Sequence, residues 1–164
     1  MARPLVLSDA SPLIALSLIE RLDLLHSLLG RITITDVVHA EVMAGGDRPG
    51  QAAIAAAIRA KRIRVIIDEG PEPKLGDLDE GEASTLRAAI HHGVPCLVLI
   101  DERAGRTVAK EAGIAHTGTV GLILQAKKRG LVPSVRTLFE QLLAQDFRIS
   151  AQLIRTALAR AGED

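Results

Sequence analysis

The sequence predicts an α/β fold, a three-layer α/β/α sandwich around a central parallel sheet of four to five strands. Short apolar segments alternate along the chain with longer segments of helical apolar spacing. Because the connections between the predicted strands contain helices, we expect neighbouring strands to pair in parallel, with helices on both faces of the sheet. The hydrophobic share of 48% is enough for a core in one domain of 164 residues.

The predicted elements follow in order. The first strand covers residues 5 to 8, and Ser11 and Pro12 mark the next helix start, with Ser11 as N-cap and Pro12 in the first helical position. Further strands are expected at 31–35, 64–67, 96–100 and 114–116. Helical spacing or start and stop signals place helices at 12–19, 22–29, 36–44, 51–60, 80–92, 102–112, 119–129, 133–144 and from Ser150 onward.

Two carboxylates directly follow apolar strand segments. Asp9 stands beyond the first strand and Asp101 beyond the strand at 96–100, so both should lie at the carboxyl edge of the sheet, where sites form in parallel sheets. Ser11 can cap the following helix by itself, which leaves Asp9 without a capping role. For Asp101, the N-cap of the helix starting at Glu102 is an equally good interpretation.

Two more acids lie in predicted helices. Glu41 shares a helix face with Val37 and Val38, although a solvated rim position is the simpler interpretation. Glu82 follows Asp79 by three residues, which is typical of a capping box, yet its spacing to the following apolar residues turns it inward. Four unpaired carboxylates in one pocket would repel, and a divalent cation resolves this repulsion. Hard oxygen ligands favour Mg²⁺ or Mn²⁺.

Composition excludes several classes of protein. The net charge is zero, and Phe139 and Phe147 are the only aromatic residues, which argues against base stacking on aromatic platforms. The single cysteine, Cys96, excludes an intrachain disulfide and a thiolate zinc site, and we expect it to be buried. No signal peptide and no membrane-spanning segment stand out, so we expect a soluble, cytoplasmic protein.

Several segments together resemble a known family. The sequence is similar to PIN domains, and within them to the prokaryotic branch related to VapC-type toxins of toxin–antitoxin pairs. The resemblance runs from about residue 4 to residue 145 and rests on the order of its motifs, which are 5–14, Glu41, 78–83, 100–101, 118–121 and 126–127. It implies a PIN-like nuclease domain over 1–145, leaving 146–164 as a C-terminal amphipathic helix that packs on the domain or serves association.

The resemblance also implies roles for individual residues. Its acidic positions, which would bind the metal and carry catalysis, correspond to Asp9, Glu41, Glu82 and Asp101. Ser11 corresponds to a hydroxyl residue supporting the first aspartate, and Thr117, Gly118 and Thr119 to a polar turn near the pocket. Many PIN domains carry a further acid shortly after the fourth; here Glu102 is the candidate, with Asp79 and Glu80 as reserves from the other segment.

The implied activity is Mg²⁺- or Mn²⁺-dependent cleavage of single-stranded RNA. The chain would then be an endoribonuclease and the toxin of a pair, with a small antitoxin protein as partner and a homodimer left open. Water would attack the phosphodiester in line with metal assistance, without a side-chain nucleophile. Arg103 and Arg106 recur at helical spacing beyond Asp101 and are candidate RNA-phosphate contacts, with an exposed helix face as the alternative.

Two other functions compete with the nuclease hypothesis. A receiver-like signalling domain also gathers acids around Mg²⁺ at strand ends, and Asp68 would be its phosphoacceptor candidate. Against it, Asp9 lacks an adjacent second acid. The other alternative is a catalytically inactive PIN-like scaffold that binds a partner through its helices.

Overall fold

A computed structural model describes residues 4–93 and 95–164. Its sheet has five strands that all pair in parallel, in the spatial order β3-β2-β1-β4-β5. This confirms the predicted parallel sheet. The strands are β1 (Leu5–Ser8), β2 (Ile32–Thr35), β3 (Ile63–Ile66), β4 (Cys96–Leu99) and β5 (Ala115–Thr117).

Nine helices connect and follow the strands within the described residues. Together with the sheet they form the three-layer α/β/α fold that the sequence predicts. The helices are α1 (Ala10–Leu18), α2 (Asp23–Leu29), α3 (Asp36–Met43), α4 (Gln51–Arg59), α5 (Glu80–His92), α6 (Arg103–Glu111), α7 (Thr119–Lys128), α8 (Val135–Ala144) and α9 (Ala151–Arg160). None of them, in the part of the chain that the structure describes, is long and apolar enough to cross a membrane.

The order of the strands reverses direction at β1. The chain first adds β2 and β3 on one side of β1 and then returns to add β4 and β5 on the other side. At the carboxyl end of this junction, Asp9 N–H donates to the carbonyl oxygen of Leu99 at 2.9 Å. Such a reversal leaves a crevice beyond the strand ends, because the helices that follow the two strands diverge to opposite faces.

Two apolar clusters fill the two faces of the sheet. Alternating side chains of β1 point to opposite faces, so Val6 belongs to one cluster and Leu7 to the other. The larger cluster contains Leu13, Leu16 and the aromatic Phe139. Buried Cys96 belongs to the smaller cluster, as expected.

The predicted start of the first helix is wrong in one detail. Asp9, not Ser11, occupies the N-cap position of α1, and Ser11 is inside the first turn. Pro12 is tolerated there because the first amides of a helix lack an intrahelical acceptor. The break near Glu20 is confirmed, since Glu20 has a φ of 57° between α1 and α2.

The chain ends in a helix anchored by its last residues. Ser150 caps α9 through the amide of Leu153, as predicted, and Ala157 and Leu158 of this helix are buried. Beyond α9, the Glu163 carboxylate accepts hydrogen bonds at 2.8 Å from the Ser134 hydroxyl and from the Val135 amide at the start of α8. The division of the chain at residue 145 stays a prediction.

Candidate active site

The carboxyl edge of the sheet carries a cluster of acids around Gly81. A Cβ atom at Gly81 would lie 2.5 Å from Glu41 Oε2, 3.1 Å from Asp9 Oδ1 and 3.5 Å from Asp79 Oδ1. Glu82 is the next residue of the same helix turn. The structure therefore brings Asp9, Glu41 and Glu82 together from three separate segments, and adds Asp79 to them. We call these four residues the acidic cluster.

Asp9 is held at the mouth of the crevice by β1. It is only 5% exposed, and its Oδ1 atom has no hydrogen-bond partner within residues 4–93 and 95–164. Burial raises the pKa of Asp9 to about 7, the Ala10 amide opposes this rise, and the charges of Asp79, Glu41 and Glu82 add to it. A buried carboxylate with an unused oxygen requires a cation or a proton.

Glu82 combines the two interpretations that its sequence allowed. Asp79 is the N-cap of α5 and accepts a hydrogen bond from Glu82 N–H at 2.8 Å. The Glu82 residue is only 3% exposed, and its Oε1 finds no partner in the described part of the chain. Burial first, then Asp79 and Glu102, raise the pKa of Glu82 to about 7, against the Asp79 backbone hydrogen bond.

Glu41 lies at the exposed rim of the cluster. The residue is solvent-exposed on α3, yet its Oε2 approaches the space beside Gly81. Partial burial and the neighbouring charge of Asp79 raise the pKa of Glu41. Glu41 therefore occupies the rim position that the sequence favoured while turning its carboxylate toward the cluster.

Asp101 is positioned by hydroxyl and amide donors. The Ser11 and Thr119 hydroxyls donate to Asp101 Oδ2 at 2.8 Å and 2.7 Å, and Thr119 N–H donates to Oδ1 at 2.7 Å. The N-cap of α6 is Glu102, so the capping interpretation of Asp101 is wrong. Since a carboxylate has about four lone-pair sites, these three bonds leave one site on Oδ1 for another ligand.

The predicted supporting residues divide into two groups. Ser11 supports Asp101, and the expectation that it supports Asp9 is wrong, because its position inside α1 turns the hydroxyl toward β4. Thr119 supports Asp101 as well. Thr117 lies at the end of β5 with its hydroxyl over Gly121, where any Cβ atom would collide with it.

The three reserve acids, Asp79, Glu80 and Glu102, lie in different surroundings. Asp79 is a member of the cluster and acts electrostatically on each of the other three carboxylates. Glu102 is exposed, but its charge acts on Glu82. Glu80 instead lines a separate surface hollow together with Lys74 and Arg87.

The donor set of the acidic cluster fits a divalent cation. Two unused, buried carboxylate oxygens, on Asp9 and Glu82, are hard ligands of the kind that Mg²⁺ and Mn²⁺ prefer. The absence of a side chain at Gly81 leaves space between the acids. Among the residues described, no group of three acidic, histidine or cysteine side chains is arranged to hold a metal ion as it stands.

A groove of about 600 Å³ has Asp101 and Ser11 in its lining, but none of the four residues of the acidic cluster. The start of α7, residues 147–150 and one face of α9 also line it. Of the two predicted phosphate contacts, Arg106 lines this groove, whereas Arg103 is an exposed residue of α6 outside its lining. Arg148 and Arg160 also line it.

Sequence reasoning missed three residues of this region. Gly81 had a recognisable signal, because a glycine in the first turn of a helix between two glutamates is unfavourable for the helix and calls for another reason. Arg148 and Arg160 had none, since only the packing of α9 brings them beside Asp101. The catalytic roles of Asp9, Glu41, Glu82 and Asp101 stay predictions.

Comparison with known families agrees with this architecture. The strand order and the acids at its reversal define a parallel α/β domain with an acidic candidate site at the carboxyl edge of its sheet. A family model described as PIN domain matches residues 5–163, and the chain belongs to this family. PIN domains are generally nucleases and typically use divalent metals. No curated protein matches the sequence.

Proposed function

We propose that this protein is a metal-dependent endoribonuclease that cleaves single-stranded RNA, with Asp9, Glu41, Glu82 and Asp101 as its catalytic acids. The observation that carries the proposal is the pair of buried, unpartnered carboxylate oxygens on Asp9 and Glu82 among the described residues. They lie at the reversal of the strand order in a PIN domain, where ligands of parallel sheets bind. A structural role does not account for unpaired buried carboxylates, because their desolvation destabilises the fold.

Each acid has a separate task in this proposal. Asp9 and Glu82 would hold Mg²⁺ or Mn²⁺ through their unused oxygens, with Glu41 closing the site from its exposed rim. When bound, the cation would supply charge neutralisation for the attacked phosphate and acidify water. Asp101, fixed by Ser11 and Thr119, would contribute the remaining lone pair of Oδ1. Hydrogen bonds from the two hydroxyls keep this carboxylate in one orientation.

Asp68 is a poor phosphoacceptor candidate for a receiver-like domain. Asp68 follows the edge strand β3, and its carboxylate pairs with Arg87 at 2.8 Å. Membership of the PIN family favours a nuclease over a signalling domain. The inactive scaffold is then the remaining alternative, and a cleavage assay separates it from the enzyme.

The first experiment is cleavage of labelled single-stranded RNA by purified protein with Mn²⁺, with Mg²⁺ or with EDTA. We expect cleavage with either cation, none with EDTA, and a loss of at least about 100-fold in Asp9→Asn and in Glu82→Gln, since each removes a metal ligand. Glu80→Gln is the matched control, because it removes a neighbouring charge outside the cluster. Equal cleavage by Asp9→Asn and wild type would refute the proposal. If wild type does not cleave the RNA with either cation, the inactive scaffold is favoured.

The biological role that we propose is the toxin of a cytoplasmic toxin–antitoxin pair, with a small antitoxin protein as partner. Support for it comes from the sequence resemblance to the VapC-related branch. Expression of wild type should arrest growth, while Asp9→Asn should not, and co-expression of a small protein encoded next to this gene should restore growth. Arrest by Asp9→Asn would contradict the toxin role. A homodimer is a further prediction, which light scattering tests.

A further inference from the structure

The groove beside Asp101 carries three arginines from three different parts of the chain. Arg106 comes from the first turns of α6, Arg148 from the connection between α8 and α9, and Arg160 from the last turn of α9. All three are solvent-exposed. In the described ranges, none of them lies within ion-pair distance of a carboxylate. Asp101 and Glu102 line the same groove, so three unpaired guanidinium groups outnumber two carboxylates there, on a chain without net charge.

Helix stability does not explain two of these arginines. Arg148 stands two residues before Ser150, the N-cap of α9, and Arg106 lies near the start of α6. The N-terminus of a helix is its positive end, so a cation there is unfavourable. Arg160, in the last turn of α9, is the only one that a helix would favour. An anion in the groove accounts for all three positions.

We infer that this groove binds the single-stranded RNA on one side of the cleaved bond, with Arg148 and Arg160 as phosphate contacts beside Arg106. The inference rests on the proposed nuclease function and adds residues that carry no catalytic role. Guanidinium groups form paired hydrogen bonds with phosphate oxygens, and a nucleic-acid strand presents a phosphate at every nucleotide. Asp101 and Ser11 line the same groove as the three arginines, so a strand lying in it would reach Asp101, one of the four proposed catalytic acids.

The wall that carries Arg148 and Arg160 is fixed in place. Glu163 follows α9 and accepts hydrogen bonds from Ser134 and Val135 at the start of α8, and Lys127 of α7 lies 3.3 Å from its carboxylate. Ala157 and Leu158 bury the inner face of α9. The helix that carries Arg160 is therefore packed on the domain and tied to α7 and α8 just beyond its end, rather than forming a loose tail.

The test compares Arg148→Gln, Arg160→Gln and the double variant with wild type. Arg155→Gln is the matched control, because Arg155 is an exposed arginine of α9 that does not line the groove. Binding of labelled single-stranded RNA is measured by fluorescence anisotropy in an Asp9→Asn background over a range of salt concentrations. Cleavage with Mn²⁺ in the otherwise wild-type protein gives kcat and KM.

We expect each single variant to raise Kd and KM by about 3- to 10-fold with little change in kcat. Each lost phosphate contact should reduce the slope of log K against log salt by about 0.7. Arg155→Gln should leave both quantities near wild type. If the double variant binds RNA as tightly as before while wild type still cleaves it, the groove is not the RNA-binding surface, but the proposed nuclease activity stands. An equal effect of Arg155→Gln would also overturn RNA binding by this groove. If wild type binds RNA in a salt-dependent way through these arginines but never cleaves it, the binding groove is supported and the nuclease activity is refuted.

Discussion

From the raised pKa of Asp9 we predict how the free energy of unfolding of the metal-free protein depends on pH. The pKa of Asp9 is about 7 in the folded chain, against an ordinary value of 3.8. Well below pH 4 both states carry the proton, and this group does not oppose folding. As pH rises toward 7 the unfolded chain releases the proton first, so the free energy of unfolding falls. Asp9→Asn removes this titration and leaves the shape of the side chain nearly unchanged.

The magnitude follows from the two pKa values. A difference of about three pH units at about 1.4 kcal/mol each gives roughly 4 kcal/mol over the whole range. Between pH 5 and pH 8 the loss that Asp9 causes is about 2–3 kcal/mol. A buried amide without partners carries its own penalty in Asp9→Asn, but that penalty does not depend on pH. The informative quantity is therefore the change of the wild-type-to-variant difference with pH.

Urea unfolding in EDTA at pH 5 and pH 8 measures this quantity. Relative to wild type, Asp9→Asn should gain about 2–3 kcal/mol of unfolding free energy between the two pH values, with Glu80→Gln as the control that gains none. Adding Mn²⁺ at pH 8 should then stabilise wild type and leave Asp9→Asn unaffected. Parallel pH profiles of wild type and Asp9→Asn would refute the reasoning that Asp9 is a desolvated carboxylate.

Three further predictions concern residues around the site. Gly81→Ala places a methyl group among the acids, and calorimetric titration should show Mn²⁺ affinity reduced roughly 10-fold or more with the fold retained. Ser11→Ala removes one donor to Asp101, so the cleavage rate should fall about 10- to 100-fold, while Ser17→Ala, on the same helix, should cleave normally. In Glu163→Gln the melting temperature should drop by about 3–6 °C at pH 7. Because the pKa of Glu163 is lowered to about 2 from 4.5, that deficit should be constant above about pH 5 and shrink as pH falls toward 2; a pH-independent deficit would contradict it.

Local pattern was sufficient to predict most of the fold. Alternation and β-branching located β2, and glycine stops located the ends of α2 and α5, because these signals depend only on near neighbours along the chain. Asp9 and Asp101 were predicted to meet because each follows a strand, and parallel strands place their carboxyl ends at one edge. Direct backbone pairing of β1 with β4 places both residues at this edge.

The partners of the site residues could not be predicted in the same way. Ser11 and Asp101 are 90 positions apart, so nothing local indicated that the Ser11 hydroxyl would turn to Asp101 rather than to its neighbour Asp9. Asp79 and Glu82 occupy the same helix start, and only packing against the sheet decides which carboxylate is buried. The position of Arg148 in the groove depends on how α9 packs on the domain. A hydrogen bond from Val135 to Glu163, which no local sequence pattern indicates, helps to fix that packing.

The position of a bound cation decides whether the acidic cluster is a metal site. A crystal of the protein soaked in Mn²⁺ and measured near the manganese absorption edge would place the ion by its anomalous scattering. We expect a peak within bonding distance of the Asp9 and Glu82 carboxylates, near Glu41 and the space beside Gly81, and we expect Asp9→Asn to lose it. A manganese ion bound elsewhere, with the acidic cluster empty in protein that cleaves RNA, would contradict this expectation.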